Sequence, residues 1–128
     1  MPKDFDRWNE QKKRIHNSYE NRHYHEREVW WCALGVNVGF EQDGTGNIGE
    51  RPALVIKGFS KHVCLVIPLT TSRKKNPYYI SLGKLDGKES FAIISQIRLL
   101  DTKRFINRIG FADQIIFGKI KKAVKSFF

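Results

Sequence analysis

Glu28–Gly35 reads E-V-W-W-C-A-L-G, Glu50–Ile56 reads E-R-P-A-L-V-I, and Val66–Thr71 reads V-I-P-L-T-T. Short apolar runs bounded by glycine, proline and hydroxyl residues mark β-strands. The pattern predicts strands at Val29–Leu34, Pro52–Phe59 and Val63–Leu69, the last two joined by a tight turn at Ser60–His62 into a hairpin. Arg51 enters one arm of that hairpin and Thr70 leaves the other, so antiparallel pairing sets the two ends side by side. Between the first and second strands, Gly35–Glu50 holds five glycines and no apolar periodicity. A loop of that length on a small domain is usually functional or disordered, and it carries carboxylates ahead of Arg51, Glu41 among them.

Outward from this centre the pattern stays mostly β. Pro68 has no amide proton to give a ladder, which predicts an edge or a bulge there. Arg73–Pro77 is a basic loop, and Tyr78–Leu82 and Phe91–Ile94 are short strands joined through a Gly/Asp turn. Ser95–Leu100 continues the sheet and Thr102–Phe105 suits a helical turn. From about Ala112 to Phe128, Ile116, Ile120, Ala123, Val124 and Phe127 form one apolar helical stripe, with Lys119, Lys121, Lys122 and Lys125 off it. At the other end, Phe5, Trp8, Ile15 and Tyr19 share a narrower stripe behind a candidate N-cap, Asp4, which predicts a helix over Asp4–Tyr19. Several short strands with a terminal helix predict a mainly β protein with α additions, a small and strongly bent sheet or barrel. The expected division is a helical extension and linker at 1–26 and a barrel domain at 27–128.

A chain of 128 residues with 41% apolar and 28% charged residues is one ordinary globular domain. Its net charge of +10 is not ordinary and favours a polyanionic partner, nucleic acid or an acidic protein segment. The two cysteines, Cys32 and Cys64, sit inside apolar strands and read as buried packing residues of a reducing compartment. With no signal-peptide pattern and no membrane-length apolar run, the expected location is the cytoplasm. His23 and His25 form an H-x-H pair on a polar segment, too little for a metal site, and no metal or cofactor is expected.

The chemistry gathers around Arg51. A planar guanidinium offers parallel donors to a phosphate and keeps its charge; a strand holds it in place while a loop admits the ligand. Thr70 is either a turn-capping hydroxyl or a donor to a phosphoryl oxygen. Arg73, Lys74 and Lys75 follow directly, then Tyr78 and Tyr79. Cations track a phosphate backbone and aromatic rings stack on unpaired bases, or these are a solvated hairpin loop and half-buried strand tyrosines. Trp30 and Trp31 point to opposite faces of one strand, one to the core and the other to an interface.

In this order, W-W-C-A-L-G, G-F-E-Q at Gly39–Gln42, R-P-A-L-V-I, I-P-L-T-T-S at Ile67–Ser72 and S-Q-I-R-L-L-D at Ser95–Asp101 resemble the MazF/PemK-type toxins of type II toxin–antitoxin systems, to which Kid also belongs. The resemblance implies an SH3-like barrel and a metal-independent endoribonuclease that cuts single-stranded mRNA by attack of the substrate's 2′-OH, leaving a 2′,3′-cyclic phosphate and a 5′-OH. It implies a homodimer with an RNA groove at the subunit interface, blocked by a cognate antitoxin with an acidic tail. The family's catalytic pair maps onto Arg51 and Thr70. Arginine is a poor base, so Glu41 is the candidate proton acceptor, or else a carboxylate that only pairs with Arg51. Gln42, Thr71, Ser72, Arg73, Lys74, Lys75, Tyr78, Gln96 and Arg98 are the candidate RNA-binding residues, the last two facing either the groove or the dimer contact. Glu50 stands where a better-known member has histidine, beside a longer loop, and bears on the proton-transfer roles. Two other readings fit the barrel: a non-enzymatic toxin acting on DNA gyrase, and a catalytically silent RNA-binding module.

Overall fold

The hairpin that holds Arg51 and Thr70 is the middle of the sheet. In the computed structural model, which describes residues 23–35 and 49–128, β2 (Glu50–Gly58) pairs antiparallel with β3 (Val63–Thr70) in the register Ala53↔Pro68 and Leu54↔Ile67. The ladder slips once, between Val55 and Lys57, a bulge that bends the hairpin. Leu54, Val55, Val66 and Ile67 are all fully buried. Apolar side chains on both faces are why these strands read as unbroken apolar runs rather than alternating ones. The expected helix at Asp4–Tyr19 and the greater part of the glycine-rich loop, with Glu41 and Gln42, lie outside the described residues.

β1 (Glu28–Ala33) lies on the far side of β2, with Trp31↔Pro52 and Cys32↔Arg51. Its own outer neighbour is β7 (Phe105–Phe111), with Trp31↔Asn107 and Cys32↔Phe105. The sequence reading leaves residues 106–111 without an assignment. This run mixes Asn107, Arg108 and Gly110 with its apolar residues because it pairs on one side only and half of it faces solvent.

On the other flank, β4 (Tyr79–Leu85) and β5 (Lys88–Ile93) form a second hairpin. Asp86 and Gly87 close it, both at positive φ and bracketed by the Leu85↔Lys88 pair. This is the two-residue Asp-Gly turn that matches strand twist. The arms are longer than the expected Tyr78–Leu82 and Phe91–Ile94 because a bulge near Gly83 breaks the alternation in β4. Ser95 and Gln96 do not continue the sheet: Ile94–Gln96 is a 3-10 turn, and β6 (Arg98–Asp101) follows it. The helical turn expected at Thr102–Phe105 is the 3-10 turn Thr102–Arg104.

Pro68 corrects the expectation of an edge or a bulge. β3 is central, and its ladder to β2 reaches Pro68, paired with Ala53, without a slip there. On its other side β3 pairs with β6 up to Val66↔Arg98 and with β5 from Leu69↔Ala92. The proline falls between these two ladders, where a missing amide proton is tolerated.

The order β4-β5-β3-β2-β1-β7, with β6 also on β3, curls into a half-barrel. The two outer strands come close without pairing: a Cβ on Gly110 would lie 3.9 Å from Leu85 Cδ2. One core cluster joins Leu54, Ile67, Leu69, Leu82 and Ala92 to Phe117 and Ile120 of α1 (Gln114–Lys125). A second, on the other face of β1–β3, gathers Trp30, Cys32, Val55, Val66, Leu100 and Phe105; Trp30 and Phe105 stack at 4.9 Å. Asp113 caps α1, accepting from the amides of Ile115 and Ile116. The helix buries Phe117, which the expected stripe omits, while Phe127 is exposed and meets Tyr78 instead. Both cysteines are buried and free, as expected. Among the described residues no helix is long and apolar enough to cross a membrane.

Candidate functional site

Two residues of continued register from Ala53↔Pro68 set Arg51 opposite Thr70, and the side chains agree. Arg51 Nη2 lies 3.4 Å from the Leu69 carbonyl, to which it donates. The arginine is only 4% exposed and Thr70 9%. A fixed cation is costly to bury unless its donors are used, so this placement is built rather than incidental. Thr70 Oγ1 accepts from the Ser72 amide at 3.1 Å. That bond fixes the start of the following loop and leaves the O–H itself able to donate.

Both residues border an open cleft of about 450 Å³ at the end of the half-barrel. Its floor is a row across four strands: Asn107, Trp31, Pro52 and Leu69. Glu50, Arg51 and Thr70–Ser72 form one wall, and the β4–β5 turn with Lys88 and Ser90 forms the other. By strand alternation Pro52 shares a face with Leu54, while Arg51 shares one with Ala53 and Val55. The cleft therefore gathers residues from both faces where the sheet ends.

Glu50 accepts the indole N–H of Trp31 at 2.7 Å. It thus helps orient an aromatic ring in the cleft floor, a role apart from the proton transfer on which the sequence reading has it bear. Asn107, Trp31, Lys88 and Ser90 are cleft residues that the sequence reading did not place. Asn107 lies in the one strand that reading left unassigned, and its register with Trp31 is visible only in the fold.

The remaining candidates divide. Thr71 and Ser72 line the cleft, and Arg73, Lys74 and Lys75 follow them, exposed. Tyr78 is exposed, 5.7 Å from the Phe127 ring, and Tyr79 is half-buried in β4. Gln96 and Arg98 do not line the cleft. Arg98 alternates with Leu100, which places it on the face that Arg51 and Thr70 share, about 13 Å further along β3. Nearby, Arg104 donates to the Ala33 carbonyl at 3.2 Å; burial, then the charge of Arg98, pushes its guanidinium below its ordinary pKa. This face thus brings Arg98 and Arg104 close together, with the Asp101 carboxylate beside them. Glu41 and Gln42 are outside the described residues. No group of three or more His, Cys, Asp or Glu gathers as a metal site among the described residues.

Comparison with known proteins agrees with this architecture. The family model of PemK-like, MazF-like toxins of type II toxin–antitoxin systems matches residues 25–128. The chain is similar to MazF from Deinococcus radiodurans, with a TM-score of 0.64 at 20% identity over 84% of this chain and 97% of that one. It is also similar to an endoribonuclease from mycobacterial species (TM-score 0.61, 18% identity, 84% and 93% covered). A mycobacterial endoribonuclease in complex with its cognate antitoxin gives a TM-score of 0.60 at 17% identity, with 81% and 93% covered. At such identities the likeness is one of fold. No curated protein matches.

Proposed function

The chain belongs to the PemK-like, MazF-like toxins of type II toxin–antitoxin systems, and from that premise we propose that it is a sequence-specific endoribonuclease that cleaves single-stranded mRNA in the cytoplasm. The observation that carries this reading is the juxtaposition of buried Arg51 with Thr70 at the ends of paired strands, on the rim of an open cleft. In this reading the half-barrel is an SH3-like barrel, residues 27–128 are the catalytic unit, and 1–26 extend it.

The substrate's 2′-OH attacks the adjacent phosphorus. The O2′–P bond forms as the P–O5′ bond breaks, giving a 2′,3′-cyclic phosphate and a 5′-OH. Arg51 and Thr70 donate to the non-bridging oxygens of the phosphorane, where negative charge accumulates. Donors already held by a sheet need no reorganisation at that moment. The fixed charge of Arg51 supplies this stabilisation without a metal. Glu41 accepts the 2′-OH proton, and the departing O5′ takes a proton from solvent to leave as the 5′-OH. Thr71, Ser72 and the cations Arg73–Lys75 bind the backbone leading away from the cut, and Gln96 and Arg98 bind it across the shared sheet face. The net charge of +10 suits both RNA and the acidic tail of an antitoxin; a structural neighbour is an endoribonuclease bound to its cognate antitoxin. The working form is a homodimer.

The test is cleavage of a long RNA in EDTA, mapped by primer extension, with Arg51→Ala and Thr70→Ala beside wild type. Losing one such donor costs about 100- to 1000-fold in rate. Sharp cuts that disappear in both variants support the reading. Cuts that persist in both, or wild type that cuts nothing, reject it.

A further inference from the structure

The cleft beside Arg51 is larger and more varied than a phosphate needs. A phosphate is held by a few converging donors, whereas this space of about 450 Å³ falls in the size range of pockets that take small organic ligands. Its charges also cancel: Glu50 and Asp86 face Arg51 and Lys88 across it. Beyond the rim donors Arg51 and Thr70, such a balanced lining adds no net attraction for further phosphates, and an acidic peptide tail would meet both carboxylates. A neutral, flat, polar group has no such penalty.

The floor supplies what such a group uses. Trp31 is half-buried, and its indole N–H is tied to Glu50 at 2.7 Å, which fixes the plane of the ring. Asn107, its cross-strand neighbour, is exposed on the outer strand β7. Among the described residues nothing hydrogen-bonds the Asn107 side chain, so its amide has both a donor and an acceptor unused. An aromatic platform beside an amide is the arrangement that reads unpaired nucleobases: the ring stacks and the amide matches a base edge.

We propose that this cleft is a nucleobase pocket for a nucleotide adjoining the scissile phosphate, with Trp31 as the stacking surface and Asn107 as the residue that selects the base. The proposal rests on the nuclease reading above and adds to it the origin of one position of the cleavage motif. The backbone runs past Arg51, Thr70 and Ser72 while the base turns into the cleft. Asn107 acts on the base and not on the phosphate, so it governs which sites are cut.

The test sequences all 5′-OH ends produced from a mixed RNA pool by wild type, Asn107→Ala, Asn107→Asp and Arg51→Ala. In Asn107→Ala, preference should fall roughly tenfold to a hundredfold at one motif position beside the cut, the other positions keeping theirs. Asn107→Asp removes the amide's donor at constant size, so the preferred base at that same position should change. Trp31→Phe keeps a ring and should weaken binding of a short RNA without moving the motif, whereas Trp31→Ala should weaken it roughly tenfold or more. A motif identical in both Asn107 variants and wild type overturns the proposal while leaving the nuclease reading intact. So does a uniform loss at every position, or an intact motif with lost inhibition by the antitoxin, which would give the cleft to that partner. If wild type cuts nothing, the nuclease reading itself fails and this one fails with it.

Discussion

Glu28 tests how the strand under the site is held. Its carboxylate is buried, and four contacts converge on it in two sets. Oε1 accepts from the His25 amide at 2.8 Å and from the Trp30 indole at 3.0 Å. Oε2 faces the His25 ring at 3.3 Å and Arg108 at 3.0 Å. The Arg108 side chain is 59% exposed and that of His25 80% exposed, so the ionic set is largely screened and contributes at most about 1 kcal/mol. Trp30 is only 7% exposed, so orphaning its N–H costs about 1–3 kcal/mol. Glu28→Gln keeps an oxygen for both neutral donors and should cost about 1 kcal/mol; Glu28→Ala should cost about 2–4 kcal/mol. Urea unfolding at pH 7 measures both. The pH dependence follows. Burial alone raises the Glu28 pKa, but the hydrogen bonds from Trp30, the His25 amide, Arg108 and the His25 ring outweigh it, and the pKa is lowered. A lowered pKa gives stability that is complete above the unfolded value, about 4.3, and is lost as pH falls through the folded value. The gap between wild type and Glu28→Gln should therefore shrink below pH 4. Equal costs for the two substitutions at pH 7 would refute the reasoning, because the ionic set would then carry the energy.

Arg51→Lys keeps the charge but loses the planar fork, and single-turnover cleavage should slow by roughly tenfold or more, less than in Arg51→Ala. Burial, joined by the neighbouring Cys64, raises the Cys32 thiol well above its ordinary range, and burial with Asp101 pushes Cys64 up to about 12. Both thiols stay protonated at pH 8, so alkylation should be slow until denaturant is added; rapid labelling of the native protein would contradict this. Asp113→Ala removes the cap of α1 and should cost about 1 kcal/mol in urea unfolding, with RNA cleavage at 25 °C unchanged.

The pairing of Arg51 with Thr70 was legible because it follows from local information. Two apolar runs and a short turn fix a hairpin, and a hairpin fixes which ends meet. The Asp86–Gly87 turn and the α1 face were legible for the same reason. What was hidden depends on distant pairing. Phe105–Phe111 carries no period of its own because one side of it is solvent, and only its register with β1 puts Asn107 beside Trp31. Pro68 misleads because proline in a strand usually marks an edge; the sequence cannot show that β3 exchanges one neighbour for another at that residue. The stripe on α1 took Phe127 for core because periodicity continues past the point where the sheet stops supporting it.

The exchange at Pro68 explains why Thr70 suits a preorganised role. Had β3 kept β6 as its neighbour, its last residues would have run off the sheet with one free side. Instead β5 takes over at Leu69↔Ala92 and Thr70↔Phe91, just past Ala53↔Pro68, the last pair of the ladder to β2. Thr70 is thus held in the sheet by β5 up to the residue at which the exposed loop begins. The hydroxyl sits at the boundary between a paired strand and an exposed loop. Arg51 stands across the hairpin, at the entrance of β2. Electrostatic catalysis requires donors that do not move when charge develops, and substrate entry requires neighbouring segments that can adapt. In the proposed reaction, donors at strand ends meet the two demands with one arrangement, and the proline that costs a ladder bond elsewhere falls where the neighbours change.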